Sequence, residues 1–318
     1  MLQKLELESL NADLAAVTAL LEQAIGVGDS VGKLQFEHRK EELERQITQM
    51  ENLAEHSASV ALFFGGKPVI GSKGIFADFA GKSLESFQEM LSKYFATLES
   101  GDLGKRGPVP FKQSTDLLVT NIARGSFGFI LEEASVNESL TDTHIKFALD
   151  QLSELVARVA SPDEELFERA VESLDPRVLI SLRSFFRTLD DAGATIRVVE
   201  DKRDYSLTYP DVQRARLRTE AIDIEERDSD SLVGELIGLL PQHRKFELRR
   251  SDTGEIVYGS IAREISNEHL DTMSETGGVV GKQWRVKVKI REVRERNRRP
   301  KLTYTLLGLL EEIHHQKD

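Results

Sequence analysis

Residues 284–291, Trp284-Arg285-Val286-Lys287-Val288-Lys289-Ile290-Arg291, alternate strictly between apolar and cationic side chains. A period of two is that of a strand with one face in a core and the other in water. Val286, Val288 and Ile290 are the expected core face, and Arg285, Lys287, Lys289 and Arg291 the outward stripe. Cations on one face of a strand recur at roughly 7 Å, near the phosphate repeat of an extended nucleic-acid strand.

The pattern extends in both directions. Upstream, Leu232–Leu239 is strand-like, and a turn at Pro241-Gln242-His243 leads to Lys245–Arg249, with Phe246 and Leu248 on one side. Asp252-Thr253-Gly254 is a turn signal before Ile256-Val257-Tyr258, and residues 261–272 carry helical spacing. Downstream, Asn297-Arg298-Arg299-Pro300 turns the chain into Leu302, Tyr304 and Leu306. Three strands, a helix and two strands make a small barrel at 230–318, of OB or SH3-like type. Phe246, Tyr258, Trp284 and Tyr304 are all expected to face inward. In an OB-fold, oligonucleotides lie across the second and third strands, between the loop joining strands one and two and that joining four and five. Those loops are basic here, with Arg244 and Lys245 in one and Arg294, Arg296, Arg298, Arg299 and Lys301 in or beside the other. The competing reading is an edge strand protected by charge.

Residues 205–229 read as a connector, with Arg214, Arg216 and Arg218 followed by Asp223, Glu225, Glu226 and Asp228. Residues 57–204 mix helices and strand pairs that are partly segregated, which predicts an α+β fold rather than a doubly wound parallel sheet. Strands are expected at Val60–Phe64, Leu117–Ile122, Phe127–Leu131 and Ala194–Val199. Helices are expected over 77–99, to about Ala160 from a cap at Ser139 or Thr141, and after Pro162 and Pro176. In residues 1–56, Leu2, Leu5, Leu10, Leu14, Val17, Leu21 and Ile25 recur at three- and four-residue steps, then Phe36, Leu43, Ile47, Met50 and Leu53 follow a glycine-rich break at 26–32. That is a helical hairpin with an apolar stripe on each helix, and it predicts self-association.

The net charge of -12 is uneven: residues 1–56 carry -6, 57–229 carry -8 and 230–318 carry +2. With no cysteine in the chain, disulfides, thiolate metal sites and cysteine nucleophiles are excluded, and a cytoplasmic setting is expected. No apolar run is read as approaching the roughly 20 residues of a membrane helix. Among the histidines, none pair at the spacing that brings two ligands onto one helix face, so no metal and no cofactor is expected.

Three further clusters carry chemistry in principle. Gly65, Gly66, Lys67, Gly71 and Lys73 form one glycine-rich segment, and Arg124, Gly125 and Ser126 a second, where backbone N–H groups could cradle an anion. Their alternative role is as turn residues. Glu200 and Lys202 follow a strand, and with Asp191 they echo a metal-dependent nuclease, where carboxylates hold magnesium and lysine positions water. A solvated charged turn is the competing reading. The leading expectation is a self-associating, non-enzymatic binding protein whose basic barrel contacts nucleic acid or another polyanion. The alternatives are an interaction or scaffold subunit that meets an acidic protein, and a metal-dependent nuclease.

Overall fold

In a computed structural model of the chain, the apolar run near residue 60 forms β1 (Ser59–Gly66), whose first six residues are buried. The structure describes residues 2–52, 56–104, 106–123, 127–134, 142–172, 174–201, 203–262, 264–275, 278–295 and 300–313. They divide into two units, 1–219 and 220–318. The fold is α+β with a small closed barrel in the second unit.

In the first unit the chain runs through α1 (Gln3–Val27), α2 (Ser30–Glu51), β1, β2 (Val69–Ile70), β3 (Gly74–Ile75) and α3 (Ala77–Ser100). It continues through β4 (Leu117–Ala123), β5 (Phe127–Glu133), α4 (His144–Ala160), α5 (Glu164–Glu172), α6 (Pro176–Asp191), β6 (Ala194–Glu200), β7 (Arg203–Leu207) and α7 (Tyr209–Ala221). The main sheet has the order β4-β5-β1-β6-β7, antiparallel at each junction. β1 is buried on both faces because each is covered. On one, Phe64 meets Phe79 of α3 edge-on at 5.4 Å. On the other, Ala61 and Phe63 pack with Leu2 and Leu5 from the start of the chain. α3, α4 and α6 bury residues at helical spacing, such as Leu149, Leu152, Val156 and Val159. Thr143, rather than Ser139 or Thr141, caps α4 by accepting from the Lys146 N–H at 3.1 Å; Ser139 and Thr141 lie outside the described residues. Asp175 caps α6, with Pro176 in its first turn.

α1 and α2 form the expected hairpin, but its turn is two residues long, not seven. Gly28 ends α1 at φ +73°, and Asp29 accepts from the N–H groups of Val31 and Gly32 at 3.1 and 2.9 Å. Gly26 and Gly32 are helical. The hairpin is held at its base. Lys4 Nζ lies 3.3 Å from Asp204, Arg197 lies 3.2 Å from Glu8, and the Gln3 amide donates to the Met50 carbonyl. Where no such run was expected, α1 is by length and composition apolar enough to cross a membrane.

The expected connector is structured. β7 and α7 occupy 203–207 and 209–221, and residues 222–229 begin the first barrel strand. α7 is hard to read in sequence because it buries only a narrow line, Val212, Ala215 and Thr219. Ion pairs hold its polar sides: Arg214 to Asp211 at 2.8 Å, Arg216 to Asp190 at 2.7 Å and Arg218 to Glu164 at 2.7 Å.

The second unit comprises β8 (Ile222–Leu240), β9 (Lys245–Arg250), β10 (Ile256–Ile261), α8 (Asn267–Glu275), β11 (Gln283–Glu295) and β12 (Lys301–Glu312). The barrel closes in the order β10-β12-β11-β8-β9, and β10 and β12 are parallel. That order, with a helix between the third and fourth strands, is consistent with an OB-like barrel. Phe246, Leu248, Val257, Val286, Val288 and Leu306 fill it, and Leu270 of α8 joins the same core.

Gly259 marks the tightest point of the barrel wall. A Cβ there would stand 2.3 Å from the Tyr304 carbonyl oxygen and 2.4 Å from the Phe246 ring. Gly259→Ala therefore costs about 1–3 kcal/mol through overpacking. Gly26→Ala, in a helix with nothing within 4 Å of the added carbon, instead stabilises by up to about 1 kcal/mol. Thermal unfolding of the two variants reads opposite signs; equal shifts would contradict this packing.

Candidate functional site

β11 turns its residues as the alternation predicts, with Val286, Val288 and Ile290 in the core and Arg285, Lys287 and Lys289 outward. The strand beside it is the acidic run that had looked like a connector. Lys289 stands opposite Asp228 and Arg291 opposite Glu226 on β8, while Arg285 stands opposite Glu311 on β12. Arg291 Nε lies 3.2 Å from Glu226, with side chains only 11% and 12% exposed, and Arg285 lies 3.1 Å from Glu311. Arg294, on the other face of β11, sits 2.8 Å from Glu292 and 3.3 Å from Glu225. Lys287 faces Gly308, and Lys301 is exposed opposite Val293. Arg296, Arg298 and Arg299 lie outside the described residues. With residues 220–229 counted in, the second unit carries 17 basic and 19 acidic side chains, a balance of -2 rather than +2. The exposed pairs are each worth about 0.2–1 kcal/mol, whereas losing one partner of a pair as buried as Arg291–Glu226 costs about 3–5 kcal/mol.

The loop between β8 and β9 is also committed to structure. Arg244 has φ +48°, and its guanidinium donates to the carbonyls of Ala262, Ile265 at 2.7 Å and Ile261 at 3.4 Å. It ties that loop to the segment before α8, where it had been read as a polyanion contact. The carbonyls of Ala262 and Ile265 that it engages lie outside any helix, and α8 begins at Asn267 rather than at 261. Lys245 is exposed at the end of β9. Tyr258 faces outward, 61% exposed, where an inward ring was expected. Val257 and Ile261 take the core positions of β10, and the Phe246 ring fills the space above Gly259.

The first glycine segment spends its amides internally. The Lys67 N–H donates to the Gly193 carbonyl at 3.1 Å, and the Lys73 N–H to that of Ile70 at 2.9 Å. Gly66 has φ +83°, and a Cβ on it would stand 2.4 Å from the Gly193 carbonyl oxygen. These glycines let the end of β1 approach the turn before β6, as Gly71 lets β2 turn into β3. Gly65 lines a shallow depression with Phe63, Thr195, Arg197 and Ser206. Arg124, Gly125 and Ser126 lie outside the described residues.

The structure does not bring Asp191 and Glu200 together. Asp191 ends α6 and is 2.5 Å from Arg216. Glu200 is at the far end of β6, a seven-residue strand, so about 20 Å separates the two positions. Lys202 lies outside the described residues. Among the described residues no group of three His, Asp or Glu side chains could hold a metal ion.

Glu200 has a different neighbourhood, which sequence reasoning missed because its partner lies 50 residues upstream on α4. It is 1% exposed, and Arg203 lies 3.4 Å from both Glu200 and Asp150. Burial, then the hydrogen bond with Asp150, push the Glu200 carboxyl up to about 9. The Glu200 carboxylic acid and Asp150 are thus bridged by one guanidinium. An acid whose value is higher folded than unfolded adds stability below its ordinary value of 4.5, and that stability is lost as pH climbs toward 9. Glu200→Gln keeps the neutral shape and removes the cost of ionisation. We expect its Tm advantage over the unsubstituted protein to be small near pH 4.5 and to widen steadily to pH 8. A difference that stays flat across this range would contradict the buried acid.

Set against known proteins, the chain is matched by no family model, and no curated protein matches it significantly.

Proposed function

We propose that this chain is a non-enzymatic assembly protein whose N-terminal hairpin joins it to a second copy. One observation carries the reading. At the hairpin's turn Ile25, Val27, Val31 and Leu34 are 56%, 74%, 69% and 70% exposed, although the base of the same hairpin is fastened to the sheet. Four apolar side chains exposed at the tip of a fastened arm make a surface suited to being covered. Apposed across a two-fold axis, the same apolar patch of each copy would cover the other. Each of eight side chains, four from each copy, gains only the part of its roughly 1.5–3 kcal/mol that its remaining exposure represents, and an association cost of about 4–15 kcal/mol offsets the sum. The expected dimer is therefore weak and concentration-dependent. The cross-strand ion pairs of the barrel support the same class of function, because most of the described cations on β11 face carboxylates of their own unit.

A second reading, contact with single-stranded nucleic acid, is favoured by Tyr258. Its exposed ring lies diagonal to Lys245 and Arg249 on the face formed by β9 and β10. Glu247 directly opposite, and the 3.0 Å pair of Arg249 with Glu235, weigh against it.

Light scattering on the eluting full-length protein, over a range of loading concentrations, tests the first reading. The mass should rise with concentration and return to that of one chain in Val27→Glu/Val31→Glu. A monomer at every concentration would overturn it. Salt-sensitive oligonucleotide binding lost in Tyr258→Ala would put the second reading first.

A further inference from the structure

The barrel is closed unevenly. β8, β11 and β12 run for 19, 13 and 12 residues, while β9 and β10 have six each. β9 pairs with β8 only over Gly234–Leu240, so residues 222–233 of β8, and the stretch of β11 paired with them, run on past the turn from β9 into β10. There their inner surface is uncovered, and a cavity of about 670 Å³ opens between it and the Arg250–Asp252 turn. α8 meets the core near Leu236 and Leu309, at the opposite end. The volume falls in the roughly 300–1,000 Å³ range of small-molecule sites.

The lining is ordered. Arg227, Ile290 and Tyr304 are direct neighbours across three strands, so their side chains share the inner face, with adjacent strands about 4.8 Å apart. Leu232 and Leu302 extend the apolar floor. Leu302 is 44% exposed although it continues the core face of β12. Polar groups rim this floor, and the hydroxyls of Ser229 and Ser231 lie 3.1 Å apart. The charges at the rim sort themselves. Arg250 is held by both oxygens of Asp252, at 2.9 and 2.5 Å. Asp228 lies opposite Lys289, on the outer face. Farther out, Glu225 and Glu292 are engaged by Arg294. Among the described residues, no hydrogen bond or ion pair holds the Arg227 guanidinium.

We infer that this cavity is a binding site for a small monocarboxylate with a ring or branched apolar body. The carboxylate meets Arg227 in the two-pronged geometry that a guanidinium offers, and the body lies on Ile290, Leu302 and Tyr304. A guanidinium with no hydrogen-bonded partner among the described residues, acted on only through space by Glu292, selects one negative charge, and the floor rejects a bare anion because its apolar surface would stay wet. The site belongs to the second unit alone and does not depend on the hairpin contact.

Titration calorimetry on the full chain with benzoate, benzamide and acetate tests each element. Benzoate should bind saturably, and benzamide and acetate at least about tenfold more weakly, since a charge-assisted hydrogen bond is worth more than the 1.4 kcal/mol that tenfold represents. Arg227→Gln should weaken benzoate by about tenfold or more, leaving benzamide and Tm unchanged. Leu302→Ala should weaken benzoate and leave acetate as it was. Absence of saturable benzoate binding, equal affinity for benzoate and benzamide or for benzoate and acetate, or benzoate binding unaltered in Arg227→Gln would each overturn the assignment.

Discussion

The ladder between β8 and β11 is the constraint on which the barrel depends. It runs from Gln283 opposite Glu235 to Glu295 opposite Ile222, with one irregularity between Val286 and Val288. β11 supplies Val286, Val288 and Ile290 to the core, and β8 supplies Leu232 and Leu236. Because side chains alternate, the same register that buries these residues brings Asp228 to Lys289 and Glu226 to Arg291. A slip of one residue would expose the core set and set like charges side by side. Hydrophobic burial and charge pairing thus specify one register between them, and an acidic segment of irregular appearance is drawn into a sheet.

That register changes what the cations on β11 mean. Taken alone, the strand offers a stripe of positive charge to an external polyanion. Within the barrel, the stripe is matched from both sides by carboxylates of the same unit. Among the described residues, uncommitted surfaces of apolar or mixed character include the hairpin tip, the Tyr258 face and the open end of the barrel with Arg227 at its rim. Each suits recognition by contact and shape better than long-range attraction, in keeping with a chain of net charge -12.

The parts of the fold legible in the sequence share one physical feature, a wide apolar face of regular period. β1, α3, α4, α6 and the alternating core of the barrel are of this kind, and each lies close to where its periodicity places it. α7 was not legible, since three small or β-branched residues line its buried edge and arginine pairs reach partners far away in the chain. The first half of β8 was not legible either, because its acidic residues are complemented by a strand some 65 positions later. The candidate sites follow the same rule. The outward direction of Arg285, Lys287 and Lys289 could be read locally, but their partners could not. Asp191 and Glu200 look close in sequence, yet a strand holds them apart, while the true neighbour of Glu200 is Asp150. The Arg227 cavity arises from unequal strand lengths, which no local pattern records.

Hydrogen exchange along residues 222–230 tests most directly whether the acidic run is a barrel strand. These amides in the full chain are expected to exchange as slowly as those of residues 232–239 and to lose protection together with 286–292, as one cooperative unit. Exchange at the rate of an unstructured linker, with 232–239 still protected, would contradict it.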